Sequence, residues 1–124
     1  VQGNKVPVYG DGKNIREWIN AEDHAKAILE VLVDHTPSTV YNITGNLVSN
    51  NLDLIKKIIK QIELQFPSYK RKKHEYLEFV ADRKGHDFKY QLSTKHNLKA
   101  IKRQKQFNLS PTVKYYIEKY RSNR

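Results

Sequence analysis

Residues 8–18, VYGDGKNIREW, place two glycines on either side of one aspartate, followed by an arginine and the only tryptophan of the chain. Gly10 and Gly12 can adopt positive φ angles, so they predict a tight turn after an apolar strand. If the chain is extended beyond the turn, Arg16 and Trp18 lie on the same face of a second strand. Two interpretations stay open. The segment is either a β-hairpin with a solvated arginine and a core tryptophan, or a support for an arginine that binds a ligand.

The composition predicts one soluble domain. The chain has 124 residues, of which 38% are apolar and 29% are charged, which suffices for one modest hydrophobic core. No run approaches the roughly 18 apolar residues of a membrane span, and no basic-then-apolar leader opens the chain. The absence of cysteine excludes disulfides, thiolate zinc sites and cysteine nucleophiles. We therefore expect a cytoplasmic protein without membrane contact. The first residue is valine, which suggests a piece of a longer protein.

Positive charge is concentrated in the second half of the chain. Residues 1–66 contain 7 Lys and Arg against 8 Asp and Glu, whereas residues 67–124 contain 16 against 5. The densest runs are residues 68–76 and 95–105, which either bind nucleic-acid phosphates or form a solvated surface. No zinc-finger, helix-turn-helix or aromatic RNA-binding pattern accompanies them. A non-catalytic basic module that binds nucleic acid or another polyanion is therefore kept as an alternative hypothesis.

Hydrophobic periodicity predicts alternating strands and helices, and hence an α/β fold. The predicted helices are residues 22–33, the segment after a Ser49/Asn50 cap, residues 94–103, and a last helix capped by Ser110 with Pro111 at its first position. The first helix is expected to be half-buried along one stripe, formed by Ala25, Ile28, Leu29 and Leu32. The predicted strands are residues 5–9, the extended segment with Arg16, a buried strand at 39–43, and residues 78–81 and 88–92.

The polar turn DRKGHD, residues 82–87, crowds an arginine, a histidine and two carboxylates around one glycine. Such a group is costly to bury unless it binds something. The guanidinium group is planar and permanently charged, so Arg16 and Arg83 on separate loops would suit a diphosphate. The competing interpretation is a surface ion pair of Arg83 with Asp82 or Asp87, worth about 0–1 kcal/mol. Spacing alone does not choose between the two.

Four blocks, in this order, resemble the carboxyl-terminal part of the nucleotide-diphosphate-sugar 4,6-dehydratases in the extended short-chain dehydrogenase/reductase family. They are VYGDGKNIREWINAEDHAKAI (residues 8–28), VYNITG (40–45), SNNLDLI (49–55) and FVADRKGHD (79–87). The resemblance implies the substrate-binding portion of an extended Rossmann-type enzyme, in which residues 20–45 complete the edge of the Rossmann sheet. It covers roughly three quarters of the chain.

The resemblance also implies an activity for the complete enzyme. It implies an NAD-dependent lyase that acts as a homodimer and converts dTDP- or UDP-glucose into the 4-keto-6-deoxy sugar. The present sequence has no G-x-x-G-x-x-G turn after a strand and no Tyr-x-x-x-Lys pair in a suitable context. We therefore expect the NAD-binding half and the catalytic residues to lie outside these 124 residues, and the isolated chain to be inactive.

The resemblance further implies which residues contact the nucleotide sugar. They are Lys5, Pro7, Val8, Tyr9, Arg16, Asn51, Arg83, Gly85 and His86. The strand that ends at Tyr9 would pack against the base, and Arg16 would meet the diphosphate. Asn51 would contact the nucleotide portion, while the loop around Arg83 would supply a second group of diphosphate and ribose contacts. Trp18 is expected to anchor its strand, and no catalytic, NAD-binding or metal-binding residue is expected.

Overall fold

The structure, a computed structural model, describes residues 4–34, 39–45, 47–70, 76–93 and 108–122. Its elements in chain order are β1 (Val6–Tyr9), β2 (Ile15–Trp18), α1 (Ala21–Asp34), β3 (Leu47–Asn50), α2 (Asn51–Gln65), a 3₁₀ helix (Pro67–Tyr69), β4 (Leu77–Val80) and α3 (Leu109–Ser122). Strands and helices alternate from β2 onwards, which confirms the predicted α/β class. Among the described helices, none combines the length and the apolar character needed to cross a membrane.

Strands β1 and β4 form a parallel pair in which Val6 faces Leu77 and Tyr9 faces Val80. The ladder continues past the strand end, where the Gly10 N–H donates to the Val80 carbonyl at 2.9 Å. The carboxyl ends of parallel strands lie at the same edge of a sheet. The glycine turn after β1 and the polar loop after β4 are therefore neighbours.

The turn between β1 and β2 lies where the sequence predicted it, but the interpretation of this segment as a β-hairpin was wrong. Gly10 and Gly12 have φ angles of 56° and 70°, and the Gly12 N–H donates to the Tyr9 carbonyl at 3.1 Å. β2 nevertheless pairs with β3 and not with β1. The Trp18 indole N–H donates to the Ser49 carbonyl of β3 at 3.1 Å. This bond agrees with the expected role of the tryptophan as the anchor of its strand.

The described residues divide into two compact units. Unit 1 contains those within residues 1–15, 50–88 and 108–124, and unit 2 contains those within 16–49 and 89–107. In unit 1, α2 packs against α3 and against the 3₁₀ helix. The buried apolar side chains of this unit are Val8, Leu54, Val113 and Ile117.

Two helices of unit 1 begin at asparagine caps. The Asn50 side chain accepts from the Asp53 N–H at 2.7 Å, as the sequence predicted for α2. In α3 the Asn108 Oδ1 atom accepts from the Ser110 N–H at 3.1 Å, so Asn108 is the cap and not Ser110. Pro111 consequently lies at the third helical position, where its missing N–H still breaks no bond within the helix. On α3, Val113 and Ile117 are buried, whereas Tyr116 is exposed.

Helix α1 in unit 2 does not bury the predicted stripe. Leu29 and Leu32 are 61% and 67% exposed, while Ala27 on another face is fully buried. Ala25 and Ile28 are exposed as well. Periodicity indicates which face of a helix is suited to burial, but the partner that covers it need not lie in the same segment of chain.

Two predicted strands are absent. Residues 39–43 have no regular secondary structure, and residues 88–92 contain only a single bridge at Lys89. These segments make both side-chain and backbone hydrogen bonds. The Asn42 amide donates to the Ser93 carbonyl at 2.7 Å, the Leu92 N–H donates to the Glu17 carboxylate at 3.2 Å, and the Ile15 N–H donates to the Phe88 carbonyl at 2.7 Å. β propensity alone does not decide whether a segment forms a regular strand. The helix predicted at 94–103 lies outside the described residues.

Candidate functional site

The loop after β4 folds into a β-turn that its glycine makes possible. The His86 N–H donates to the Arg83 carbonyl at 3.2 Å, and Gly85, the third residue of this turn, has a φ angle of 71°. A positive φ at that position is the feature of a type II turn. Apart from its two neighbours in sequence, no atom of the described residues lies within 4 Å of the place where a Cβ of Gly85 would be. The backbone of the turn is therefore open to the approach of a ligand.

The polar side chains of this loop contact one another. The His86 Nδ1 atom lies 2.8 Å from Asp82 Oδ1, and the His86 Nε2 atom lies 2.9 Å from Arg83 Nη2. The Arg83 guanidinium carbon lies 5.2 Å from the centre of the Tyr9 ring, in cation–π geometry. The structure thus brings together Tyr9, Arg83 and His86, which the sequence placed at one site. Gly85 lies in the turn between Arg83 and His86.

Asp82 organises this cluster, and the sequence had suggested it only as an ion-pair partner of Arg83. Its Oδ1 atom also accepts from the Arg83 backbone N–H at 2.8 Å. The pKa of the Asp82 carboxyl is lowered, first by the hydrogen bond from His86 and then by the Arg83 N–H. Gly10, with a φ angle of 56°, leaves space for this carboxylate, because a Cβ there would lie 3.0 Å from Asp82 Oδ2. The parallel register of β1 and β4, which places Gly10 beside the loop, could not be deduced from spacing.

Strand β1 turns alternate side chains to opposite faces, so its predicted site residues divide into two groups. Val8 is only 2% exposed, and a Cβ on Gly12 would lie 2.7 Å from its Cγ1 atom. Pro7 and Lys5 are exposed, and Tyr9 is 42% exposed. A ligand on the outer face could contact Lys5, Pro7 and Tyr9, whereas the Val8 side chain would support that surface from inside.

Asn51, the first residue of α2, carries a buried polar atom without a partner. Its backbone N–H donates to the Asn14 carbonyl at 3.1 Å. Its Oδ1 atom is buried and has no hydrogen-bond partner within the described part of the chain. An unsatisfied buried acceptor costs about 1–3 kcal/mol. A ligand that donates a hydrogen bond here would recover that energy, which is compatible with the contact predicted for Asn51.

Arg16 belongs to unit 2, in which it is half-buried on β2. Its guanidinium carbon lies 4.7 Å from the centre of the Tyr90 ring, a residue that the sequence had not indicated. Both predicted arginines therefore rest against a tyrosine ring. Arg83 belongs to unit 1, so the convergence of Arg16 and Arg83 on one diphosphate stays a prediction.

Helix α3 contains a Tyr-x-x-x-Lys spacing that the sequence interpretation overlooked. The Lys119 Nζ atom lies 5.6 Å from the centre of the Tyr115 ring, and Tyr115 is exposed. Residues four apart on a helix are neighbours, so ordinary helix geometry accounts for this pair. In the described ranges, no three His, Asp or Glu side chains are grouped as a metal site would require.

Comparisons with known proteins connect the chain to one group of enzymes. The profile of the NAD dependent epimerase/dehydratase family matches residues 1–44. The chain is 36% identical to a dTDP-glucose 4,6-dehydratase of Haemophilus influenzae, over 94% of this chain and 37% of the relative. It is 34% identical to a dTDP-glucose 4,6-dehydratase of Streptomyces niveus, over 100% of this chain and 34% of the relative. The chain thus spans about a third of the length of these curated relatives.

Solved structures show the same similarity. The structure of DesIV, a dTDP-glucose 4,6-dehydratase from Streptomyces venezuelae with NAD and a second ligand bound, matches with a TM-score of 0.75 and 31% identity, over 94% of this chain and 35% of that one. A dTDP-glucose 4,6-dehydratase from Bacillus anthracis in complex with NAD matches with a TM-score of 0.67 and 31% identity, over 94% of this chain and 36% of that one. The α/β fold is therefore similar to part of these enzymes.

Proposed function

We propose that this chain, which matches about a third of a dTDP-glucose 4,6-dehydratase, is the nucleotide-sugar-binding portion of such an enzyme. The complete protein would be an NAD-dependent lyase that forms the 4-keto-6-deoxy sugar from dTDP- or UDP-glucose, and it would act as a homodimer in the cytoplasm. The observation that carries this proposal is the cluster of Tyr9, Arg83 and His86 where β1 and β4 end. Nucleotides bind at that edge in open parallel α/β sheets.

Arg83 is proposed to bind the diphosphate. The Tyr9 ring covers one face of its guanidinium group, which leaves N–H groups in the plane of the fork for phosphate oxygens. The base would lie on the outer face of β1, against Tyr9 and Pro7, with Lys5 near a phosphate. Gly85 would allow the ligand to approach the turn backbone, and Asn51 would accept a hydrogen bond from the nucleotide. Arg16 would supply a second guanidinium group to the diphosphate.

NAD is proposed to bind to another part of the complete protein. In this structure the GDG turn leads into β2 and not into a helix. A dinucleotide pyrophosphate normally rests on the N-terminus of a helix that follows such a turn directly. The residues of this turn therefore do not fit the NAD pyrophosphate. On this proposal, the isolated chain binds the nucleotide but does not convert the sugar.

A titration calorimetry series with dTDP and with UDP tests the binding function. Arg83→Ala should weaken dTDP binding by about 10- to 100-fold, since a charged hydrogen bond contributes about 1.5–3 kcal/mol. Arg16→Ala should also weaken it. Arg121→Ala is a matched control, because Arg121 is likewise an arginine over aromatic rings, at 5.2 Å from the centre of Phe66, but lies on α3. It should leave the dTDP affinity unchanged.

Two results would contradict the proposal. The first is dTDP affinity that is the same in the wild type and in both site variants. The second is steeply salt-dependent DNA or RNA binding that survives Arg16→Ala and Arg83→Ala, because phosphate-backbone binding depends on charge density and not on two particular arginines. That second result would favour the basic binding module.

A further inference from the structure

We propose that His86 is a positioning residue, a neutral imidazole that links the Asp82 carboxylate to the Arg83 guanidinium and holds Arg83 against Tyr9. The linkage is a property of the free chain. Its effect on nucleotide binding rests on the proposed function. The sequence resemblance placed His86 among the direct ligand contacts, so this inference assigns it a different role.

The chemistry of the two contacts determines the tautomer of His86. Arginine has N–H donors, no acceptor, and a charge that it does not lose in proteins. The contact of 2.9 Å between Arg83 Nη2 and His86 Nε2 therefore requires a lone pair on Nε2. The single proton of the neutral ring is then on Nδ1, where it donates to Asp82 Oδ1 at 2.8 Å. Both ring nitrogens are thus engaged with protein groups.

The burial of the His86 side chain supports its role as a contact of protein groups and not of the ligand. The His86 side chain is 9% exposed, whereas the Asp82 side chain is 40% exposed. A ligand atom that bonded to either ring nitrogen would have to displace Asp82 or Arg83. Displacing Arg83 would remove the group best suited to a diphosphate. A ligand therefore gains more from the fork of Arg83 than from the ring of His86.

The order of the contacts explains how the loop aims Arg83. Asp82 Oδ1 accepts from the Arg83 backbone N–H and lies against His86 Nδ1, so it anchors the turn and the ring together. His86 then contacts one Nη atom of Arg83, and the Tyr9 ring packs against one face of the guanidinium group and restricts its movement. Two supports in different directions restrict a long side chain that would otherwise lose rotamer entropy on binding. A pre-positioned guanidinium group binds a phosphate more tightly for this reason.

The linkage can be measured without any ligand, by long-range ¹H–¹⁵N spectra of the full chain at neutral pH. The His86 signals are identified as those missing in His86→Phe. We expect a pyrrole-like nitrogen shift for Nδ1 and a pyridine-like shift for Nε2. In Asp82→Ala this preference should weaken, because the acceptor for Nδ1–H is removed. The opposite tautomer, or a doubly protonated ring, would overturn the proposal.

A double-mutant cycle on dTDP affinity separates positioning from direct contact. His86→Phe should weaken binding roughly three- to tenfold, the range of one hydrogen bond, but should have no further effect in Arg83→Ala. A direct ligand contact would instead give the same loss in both backgrounds, which would overturn the positioning role.

His86→Gln, whose amide can accept from Arg83 and donate to Asp82, should recover part of the affinity. It replaces His86→Phe in the test if that variant does not fold. If Arg83→Ala alone leaves dTDP affinity unchanged, the proposed function fails, while the nitrogen shifts still decide whether the linkage exists.

Discussion

Gly12 and Gly85 have nearly the same backbone conformation, with φ angles of 70° and 71°, but different surroundings. A Cβ on Gly12 would lie 2.7 Å from Val8 Cγ1 and 2.9 Å from Leu52 Cβ, whereas a Cβ on Gly85 would meet no atom of the described residues within 4 Å beyond its neighbours in sequence. Left-handed strain costs about 1–2 kcal/mol at either position. Only at Gly12 does overpacking add about 1–3 kcal/mol.

We therefore predict that Gly12→Ala lowers the free energy of unfolding by about 2–5 kcal/mol and Gly85→Ala by about 1–2 kcal/mol. Urea unfolding followed by circular dichroism measures both values. Gly85→Ala is the matched control for backbone strain without crowding. Equal losses in the two variants would show that the contacts around Gly12 do not resist the added methyl group.

The Asp82 carboxyl gives a second prediction at this scale. Its pKa is lowered mainly by the hydrogen bond from His86. Because the folded-state pKa is lower than the unfolded one, the contact stabilises the fold above the ordinary aspartate pKa of about 3.9, and this contribution is lost as the pH falls through the folded value. In His86→Phe the pKa of Asp82 should rise towards that ordinary value. A carboxyl ¹³C titration measures it. An unchanged Asp82 pKa in His86→Phe would contradict the assigned cause.

At the scale of elements, the sequence correctly predicted the features that depend on local interactions. Helix α2 begins where Asn50 can accept from the Asp53 N–H, and the glycine turn lies where positive φ angles are needed. Both features depend on residues within a few positions of one another. The start of α3 was misplaced by two residues, because Ser110 and Asn108 are both good caps, and the contact of Asn108 Oδ1 with the Ser110 N–H distinguishes them.

Strand pairing could not be predicted in the same way, because it depends on residues far apart in the chain. The apolar run at 39–43 suggested a buried strand, yet nothing in that run reveals whether a neighbouring strand exists. The parallel pairing of β1 with β4 joins residues about 70 positions apart. That pairing, and not any motif, brings Tyr9 and Gly10 to the DRKGHD loop. The resemblance had named Tyr9, Arg83 and His86, which the loop contacts bring together, whereas it had not indicated Asp82 as the residue that organises them.

At the scale of the whole molecule, helix α1 presents apolar side chains that the described chain does not cover. Leu29, Leu32 and Val33 are 61%, 67% and 81% exposed. An exposed patch of this kind usually marks an interface. The chain spans about a third of its relatives, and on the proposed function another part of the complete enzyme would cover this face of α1.

The same face predicts how the isolated chain behaves. Without a covering partner it should self-associate through α1, because each buried leucine contributes about 1.5–3 kcal/mol. The double variant Leu29→Lys/Leu32→Lys should shift the sedimentation velocity profile towards the monomer and leave the circular dichroism spectrum unchanged, since neither side chain supports the fold. Leu64→Lys is the control, because Leu64 is equally exposed, at 66%, but lies on α2, and it should not alter association. If the α1 double variant associates as strongly as the wild type, this face is not the interface, and the proposal that the rest of an enzyme covers it loses its physical support.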